Sequence, residues 1–243
     1  MQQGGSGPAY RPSPLRLRHL PTIIGRHFWF KFFGTTAFTS LFFVAYVFLL
    51  KHPAFPVTVV PTMALDRLIG FSPIALPLYL SLWLYVSLPV MFMTTRSAIV
   101  EFGYWMGGLC LFGLTIFYFW PTAVPRTHID WSRYPGMAVL KGVDAAGNAF
   151  PSLHVATAVF ACFWLNQQLR LYHCGPYART LNLLWCTGIV YSTMATKQHM
   201  AIDVIGGIGL ALAFAWTCGR AVRSRTEKAS HLFWIGHEWA EQE

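Results

Sequence analysis

Charge is the scarcest property of this chain. Only 11% of its 243 residues are Asp, Glu, Lys or Arg, while 55% are hydrophobic; a soluble domain usually carries about 25% charged residues. The shortfall excludes a soluble particle of this size, because too few polar side chains exist to coat it. Acidic residues are the rarer half, 9 against 18 Lys and Arg. The formal charge of +9 would suggest a nucleic-acid partner if the cations formed one patch. They are instead spread between apolar runs, and no such partner is expected. Cysteine is sparse and unpatterned. Cys110, Cys162, Cys174, Cys186 and Cys218 are odd in number, lack Cys-x-x-Cys spacing and mostly lie inside apolar runs. They read as small packing residues, not as a disulfide framework or metal knot. His-Glu-x-x-His spacing is also missing, which disfavours a metal site built from His128, His154, His199 and Asp203. No metal and no cofactor is expected.

What the chain has in quantity is long uncharged sequence. The run Phe32–Leu50 carries no charge, is too long for the apolar core of a signal peptide and is followed by no small-residue cleavage site, so it reads as a retained anchor. Further uncharged stretches lie between Arg67 and Arg96, Glu101 and Arg126, Asp144 and Arg170, Arg179 and Lys197, and Asp203 and Arg220. A helix needs about 20 residues to cross the hydrocarbon core. The last stretch is slightly short unless its helix starts near His199. Pro73, Pro77 and Pro89 predict an irregular or kinked second span, which neighbouring helices can tolerate. The expected fold is therefore all-α, a polytopic bundle of about six spans in one membrane domain over residues 32–220. A basic tail rich in Gly, Pro and Arg precedes it over 1–31, with a short interfacial helix near His27–Phe30, and a tail at 221–243 follows.

The cations set the orientation. With an even number of spans both termini share a side. That side holds twelve cations: Arg11, Arg16, Arg18, Arg26, Lys31, Arg96, Arg170, Arg179, Arg220, Arg223, Arg225 and Lys228. The other side holds six, namely Lys51, Arg67, Arg126, Arg133, Lys141 and Lys197. The positive-inside rule puts the termini in the cytoplasm and the loops at 51–72, 122–150 and 195–200 outside. A cell membrane is expected, read as a bacterial inner membrane.

Three polar clusters fall on that outer side at the ends of different spans: Pro121–Arg126, Asn148–His154 and Ser192–Asp203. Pro151 suits the first turn of a helix and Ser152 can cap or line it. The free amides of such a turn attract anions. His199 and Asp203 are four apart, hence on one helical face. The carboxylate can accept a proton from one ring nitrogen and leave the other lone pair free to attack phosphorus. His154 stands at the rim of its own turn, and Arg126 and Lys197 can neutralise phosphate oxygens. Singly, each has a plainer reading as a helix cap or an interfacial anchor; together, order, sidedness and helix-end placement agree. The loop from Phe55 to Phe71, apolar but carrying Asp66 and Arg67, fits either a substrate path or a re-entrant connector.

On these motifs the chain resembles the type 2 phosphatidic acid phosphatase superfamily of membrane lipid phosphatases and phosphotransferases, over roughly residues 60–220. The wording Phe-Pro-Ser-Leu-His-Val-Ala at 150–156 and Thr-Lys-Gln-His-x-x-x-Asp-Val-Ile at 196–205 is similar to its inositolphosphotransferase-like branch, which includes inositol phosphorylceramide synthases. The resemblance implies a six-helix core, no metal and a phosphohistidine intermediate. It makes His199 the nucleophile, Asp203 its orienting carboxylate and His154 the general acid, with Ser152 and Arg126 binding phosphate. The chain departs from the common pattern at Phe119, where a Lys is usual, at Thr193, where an Arg is usual, and at Thr127, where a Pro is usual. Two phosphate-binding cations are thus missing; Lys197, or more weakly Lys141, is a candidate replacement.

The expected activity is a lipid-phosphate phosphatase working on the outer leaflet, with transfer of a phospho-headgroup to a lipid or polyol hydroxyl as the alternative. The expected partners are the bilayer and a membrane lipid phosphate or diphosphate. A small transporter would also place ionisable residues near membrane depth. The lack of an evident internal repeat and the gathering of all three motifs at one surface weigh against it.

Overall fold

The computed structural model describes residues 20–127, 129–137 and 147–240, with side chains described only as far as residue 220. The chain is an all-α bundle. Helix α1 is Leu20–Gly25, α2 is Phe28–Lys51, α3 is Ala64–Leu68, α4 is Leu76–Leu80, α5 is Leu82–Phe92 and α6 is Arg96–Phe119. After the loop come α7, Leu153–Leu171, α8, Pro176–Ala195, and α9, Ala201–Ala240. The only strands among the described residues are two short parallel segments, Thr58 pairing with Thr122 and Val59 with Ala123.

Among the described residues four helical stretches are long and apolar enough to cross a membrane: Phe28–Lys51, Pro73–Phe92, Arg96–Phe119 and Ala201–Arg220. Helices α7 and α8 have the length, at 19 and 20 residues, but are less apolar than these four. Their polar groups are paired within the bundle. Gln168 donates to Pro89 O at 2.9 Å, and Asn182 donates to Cys162 O at 3.1 Å while accepting from Tyr85 Oη at 2.6 Å. Helix α7 packs on α5, α6, α8 and α9, so protein rather than lipid surrounds most of it. Close packing needs small side chains, and Ala156, Ala158 and Ala161 of α7 are wholly buried.

Several expected boundaries move. The second span is broken as the prolines suggested, into a short 3-10 turn at Pro73–Ala75, then α4 and α5. The first span begins at Phe28, which takes Lys31 out of the expected tail and into a helix. There Lys31 is buried and donates to Ile23 O at 3.0 Å and to Met91 O at 2.9 Å. The short helix expected near His27–Phe30 lies earlier, at α1. Pro151 sits before the first turn of α7 instead of in it, joined to Phe150 by a cis peptide bond. The backbone of α9 runs as helix to Ala240, beyond the expected edge of the membrane domain at residue 220.

Helix α2 is the exception to the dense packing. It meets the bundle through Phe38, Phe42 and Tyr46, spaced four apart as one helical face requires, and through Phe43, Val47, Leu49 and Leu50 beside them. Its base is tied through Lys31, and near its top Asn148 Nδ2 donates to Tyr46 O at 3.2 Å.

Candidate active site

The three motif clusters meet at one end of the bundle because their backbones are bonded to one another. Phe150 N–H donates to Thr122 Oγ1 at 2.8 Å and Ala149 N–H to Thr122 O at 3.3 Å, joining the first cluster to the second. Ser152 N–H donates to Asp203 O at 3.0 Å, joining the second to the third. Ser152 Oγ accepts from Val155 N–H at 3.2 Å, so this residue caps α7. The amides of its first turn carry the positive end of the helix dipole. A Cβ on Gly207 would come within 2.5 Å of Ser152 O, so α9 presses backbone to backbone on this turn and only glycine fits.

Four side chains form a line through the site. Tyr79 Oη lies 2.8 Å from His154 Nε2, His154 Nδ1 lies 3.1 Å from His199 Nε2, and His199 Nδ1 lies 3.7 Å from Asp203 Oδ2. Each imidazole nitrogen is either a donor or an acceptor. One assignment serves the whole line: Tyr79 donates to His154, His154 Nδ1–H donates to His199, and His199 Nδ1–H faces the Asp203 carboxylate. The His199 Nε2 lone pair is then the acceptor beside His154. The gap of 3.7 Å exceeds a hydrogen bond. Catalytic contacts are commonly long before substrate binds. Asp203 Oδ2 meanwhile accepts from Met200 N–H at 2.8 Å, and its other oxygen has no hydrogen-bond partner among the described residues.

His199 precedes α9 rather than lying in its first turn. Gln198 and His199 both donate their amides to Thr193 O, at 3.0 and 3.1 Å, closing the end of α8 and turning the chain between the two helices. Lys197 occupies the left-handed region in this turn, with φ 55°. Its ammonium donates to Asp66 O at 2.9 Å and Ile69 O at 2.6 Å. The structure thus places Lys197 as a clamp between this turn and the 63–72 loop, with hydrogen bonds to carbonyls where phosphate oxygens were expected.

Arg126, three residues after the short strand, is exposed and pairs with none of the described residues. Phe119 is 64% exposed beside Phe55, and the Thr193 hydroxyl donates to Val190 O at 2.8 Å, so neither position presents a polar group that substitutes for a cation. His128 and Lys141 lie outside the described residues. Among the described residues no three His, Cys, Asp or Glu side chains converge as metal ligands would.

Two residues that sequence reasoning missed, or left open, belong here. Tyr79 is buried in the broken second span, where nothing but its position two residues after a helix-breaking proline marked it. Asp66 is buried, its carboxylate accepting from Met63 N–H and Ala201 N–H, both at 2.7 Å. It therefore holds the loop against the first turn of α9, and with Lys197 it makes the 63–72 segment a brace for the histidine turn.

Beside the histidines opens a cavity of about 950 Å³, lined by α2, α5, α6 and the start of α7, with His154 and His199 at one end. Residues 74–217, more than half of the chain, match the PAP2 superfamily. No curated protein and no solved structure matches the chain.

Proposed function

The chain belongs to the PAP2 superfamily, and from that premise we propose that it is a membrane lipid-phosphate phosphatase working through a phosphohistidine intermediate at the outer leaflet. The observation that supports this best is the contact of His154 Nδ1 with His199 Nε2 at 3.1 Å, with Asp203 behind His199. It pairs a nucleophile with a proton donor at one end of an apolar cavity.

In the proposed reaction His199 Nε2 attacks phosphorus, forming a P–N bond as the bond to the leaving oxygen breaks. With phosphate between the two rings, His154 acts as an imidazolium whose Nε2–H donates to Tyr79 Oη, gives its Nδ1 proton to that oxygen and is left neutral. Asp203 faces the Nδ1–H of the ring, which gains positive charge as the P–N bond forms. Water then gives its proton to His154, its oxygen attacks phosphorus, and the P–N bond breaks to regenerate His199. Arg126 and the capped first turn of α7 at Ser152 are the proposed phosphate contacts. Lys197 serves by holding the turn that carries His199.

Transfer to an alcohol is the second reading, and the surroundings of Phe119 and Thr193 favour it. With no cation from either position, a diester or diphosphate, less charged at the reacting phosphorus than a monoester dianion, is the easier substrate. The motif wording of the inositolphosphotransferase-like branch points the same way.

The two readings separate when purified protein receives a labelled phospholipid donor with and without inositol, glycerol, long-chain alcohols or ceramide. Free phosphate released at a rate indifferent to acceptor, and lost in His199→Ala, supports hydrolysis. An acceptor-dependent labelled lipid that forms faster than free phosphate establishes transfer. Sidedness has its own test. A cysteine replacing Gly136 in an otherwise cysteine-free protein should react with an impermeant reagent in intact cells. Labelling only after lysis would move the site to the cytoplasmic face.

A further inference from the structure

We infer that the cavity beside α2 is a measuring channel for the substrate's hydrocarbon chain, selecting lipid phosphates whose chain reaches past the bilayer midplane. This rests on the phosphoryl-transfer reading for the headgroup and adds the chain class.

The cavity's lining on α2 runs from Phe30 to Val47, which at 1.5 Å per residue is about 25 Å of depth. The hydrocarbon core is about 30 Å thick, so a chain confined to one leaflet would occupy about half of it. At one end stand Tyr79, His154 and His199, where the phosphorus would react. At the other stand Val90, Val100 and Gly103, close to the turn between α5 and α6, where the chain has crossed most of the membrane. The space is a cleft open along its side rather than a closed void, so hydrocarbon can enter it laterally and restore the dispersion contacts of its lining. The occupant is the donor's own tail. The wall surface is mainly apolar, interrupted by hydroxyls such as those of Thr35, Thr36, Thr39 and Ser40 on α2, and the cavity leads to the two histidines.

Two glycines make the depth adjustable by mutation. A Cβ built at Gly34 or at Gly103 meets no atom within 4 Å, and both residues line the far half of the cavity. A large side chain fits at either position without displacing backbone and stands at the border of the channel, Gly103 being half-buried and Gly34 exposed. Gly209 of α9 also has nothing within 4 Å, is exposed and does not line the cavity, so it is the control for a bulky residue elsewhere in the bundle.

The experiment presents n-alkyl phosphates and diphosphates, from decyl to docosyl, in mixed detergent micelles. Binding is measured to the His199→Ala protein and turnover with the otherwise unaltered chain. Catalytic efficiency and affinity should rise with chain length until the channel is full, then level off. Gly103→Phe, and separately Gly34→Phe, should lower both by about tenfold for the longest chains, the scale of one overpacked contact, and leave decyl phosphate unchanged. Gly209→Phe should change neither. Chain-length independence in binding and in turnover, or equal losses for short and long chains in both cavity variants, would overturn the channel while leaving His199-dependent turnover intact. Chain-graded, Gly103-sensitive binding without any turnover would uphold the channel and sink the phosphoryl-transfer reading. If chain length governed only the formation of transfer product from an added alcohol, and not consumption of donor, the channel would belong to the acceptor and the inference would fall.

Discussion

Around α7 the bundle is solid, and beside α2 it is hollow, although both regions are built from apolar helices of similar length. The solid part joins α7, α8 and α9 through alanines, glycines and paired polar side chains, and its upper end carries His154, His199 and Asp203. The hollow part sets the aromatic stripe of α2 against α6 and leaves a channel alongside. Substitutions should therefore act in opposite ways in the two regions. In the solid part they should damage both stability and chemistry, whereas in the hollow part they should alter only what the protein accepts.

The largest effect belongs to the histidines. His199→Ala should remove any covalent phosphoenzyme and lower turnover by at least about 10⁴-fold, the scale seen when a nucleophile is lost. His154→Ala should lower turnover of natural substrates by about 10²–10⁴-fold. It should spare p-nitrophenyl phosphate, whose leaving group needs no proton. Phosphoenzyme trapping and the two substrates measured side by side check both, and equal losses on both substrates would end the acid role of His154.

The comparison itself is broken or upheld by two glycine-to-alanine changes. Gly207→Ala puts a Cβ within 2.5 Å of the Ser152 carbonyl and 3.0 Å of the Val155 Cβ. It should destabilise the protein by about 1–3 kcal/mol and reduce activity, because α9 and the capped turn must separate. Gly34→Ala meets nothing within 4 Å and should be neutral or stabilise α2 by up to about 1 kcal/mol. Melting of both variants in one detergent decides it; similar losses at both positions would show that the hollow part is not hollow.

Asp66→Ala sharpens the role of the brace. Two buried amides, of Met63 and Ala201, lose their acceptor. The expected cost is about 1–3 kcal/mol, with a fall in kcat larger than any change in KM. A KM effect alone would place Asp66 at the substrate and not behind the histidine turn. The smallest effect is at Tyr79. Tyr79→Phe removes one hydrogen bond to His154 and should slow natural substrates by about fivefold, in line with a bond worth about 1 kcal/mol. It should leave p-nitrophenyl phosphate unaffected. A loss shared by both substrates would assign Tyr79 to the phosphate and not to the orientation of His154.

What the sequence disclosed and what it withheld divide along the same physical line. Helix ends, prolines that break a span, a capping serine and a histidine near the start of a helix are properties of neighbouring residues. They could be read directly. The contacts that complete the site join residues far apart in the chain: Tyr79 with His154, Asp66 with Ala201, Lys197 with Ile69. Lys197 illustrates the limit. Its charge beside His199 suggested a phosphate contact, yet the left-handed turn at this residue sends the ammonium to the carbonyls of a loop more than a hundred residues earlier. The cavity left no trace at all, because α2 is apolar all round and no one face of its sequence marks the channel wall.

The way α2 is fastened has a mechanical consequence. Lys31 holds the helix at its base and Asn148 near its top, and between them the contacts with the bundle gather in the upper half, from Phe38 to Leu50. A rod held in this way is most compliant where it is least supported. Bowing of α2 would widen the channel, while the backbone bonds of Ser152 to Asp203 and of His199 to Thr193 keep their lengths. The stiffness needed to hold two imidazoles about 3 Å apart and the give needed to admit a long chain are thereby assigned to different helices, so neither is obtained at the expense of the other.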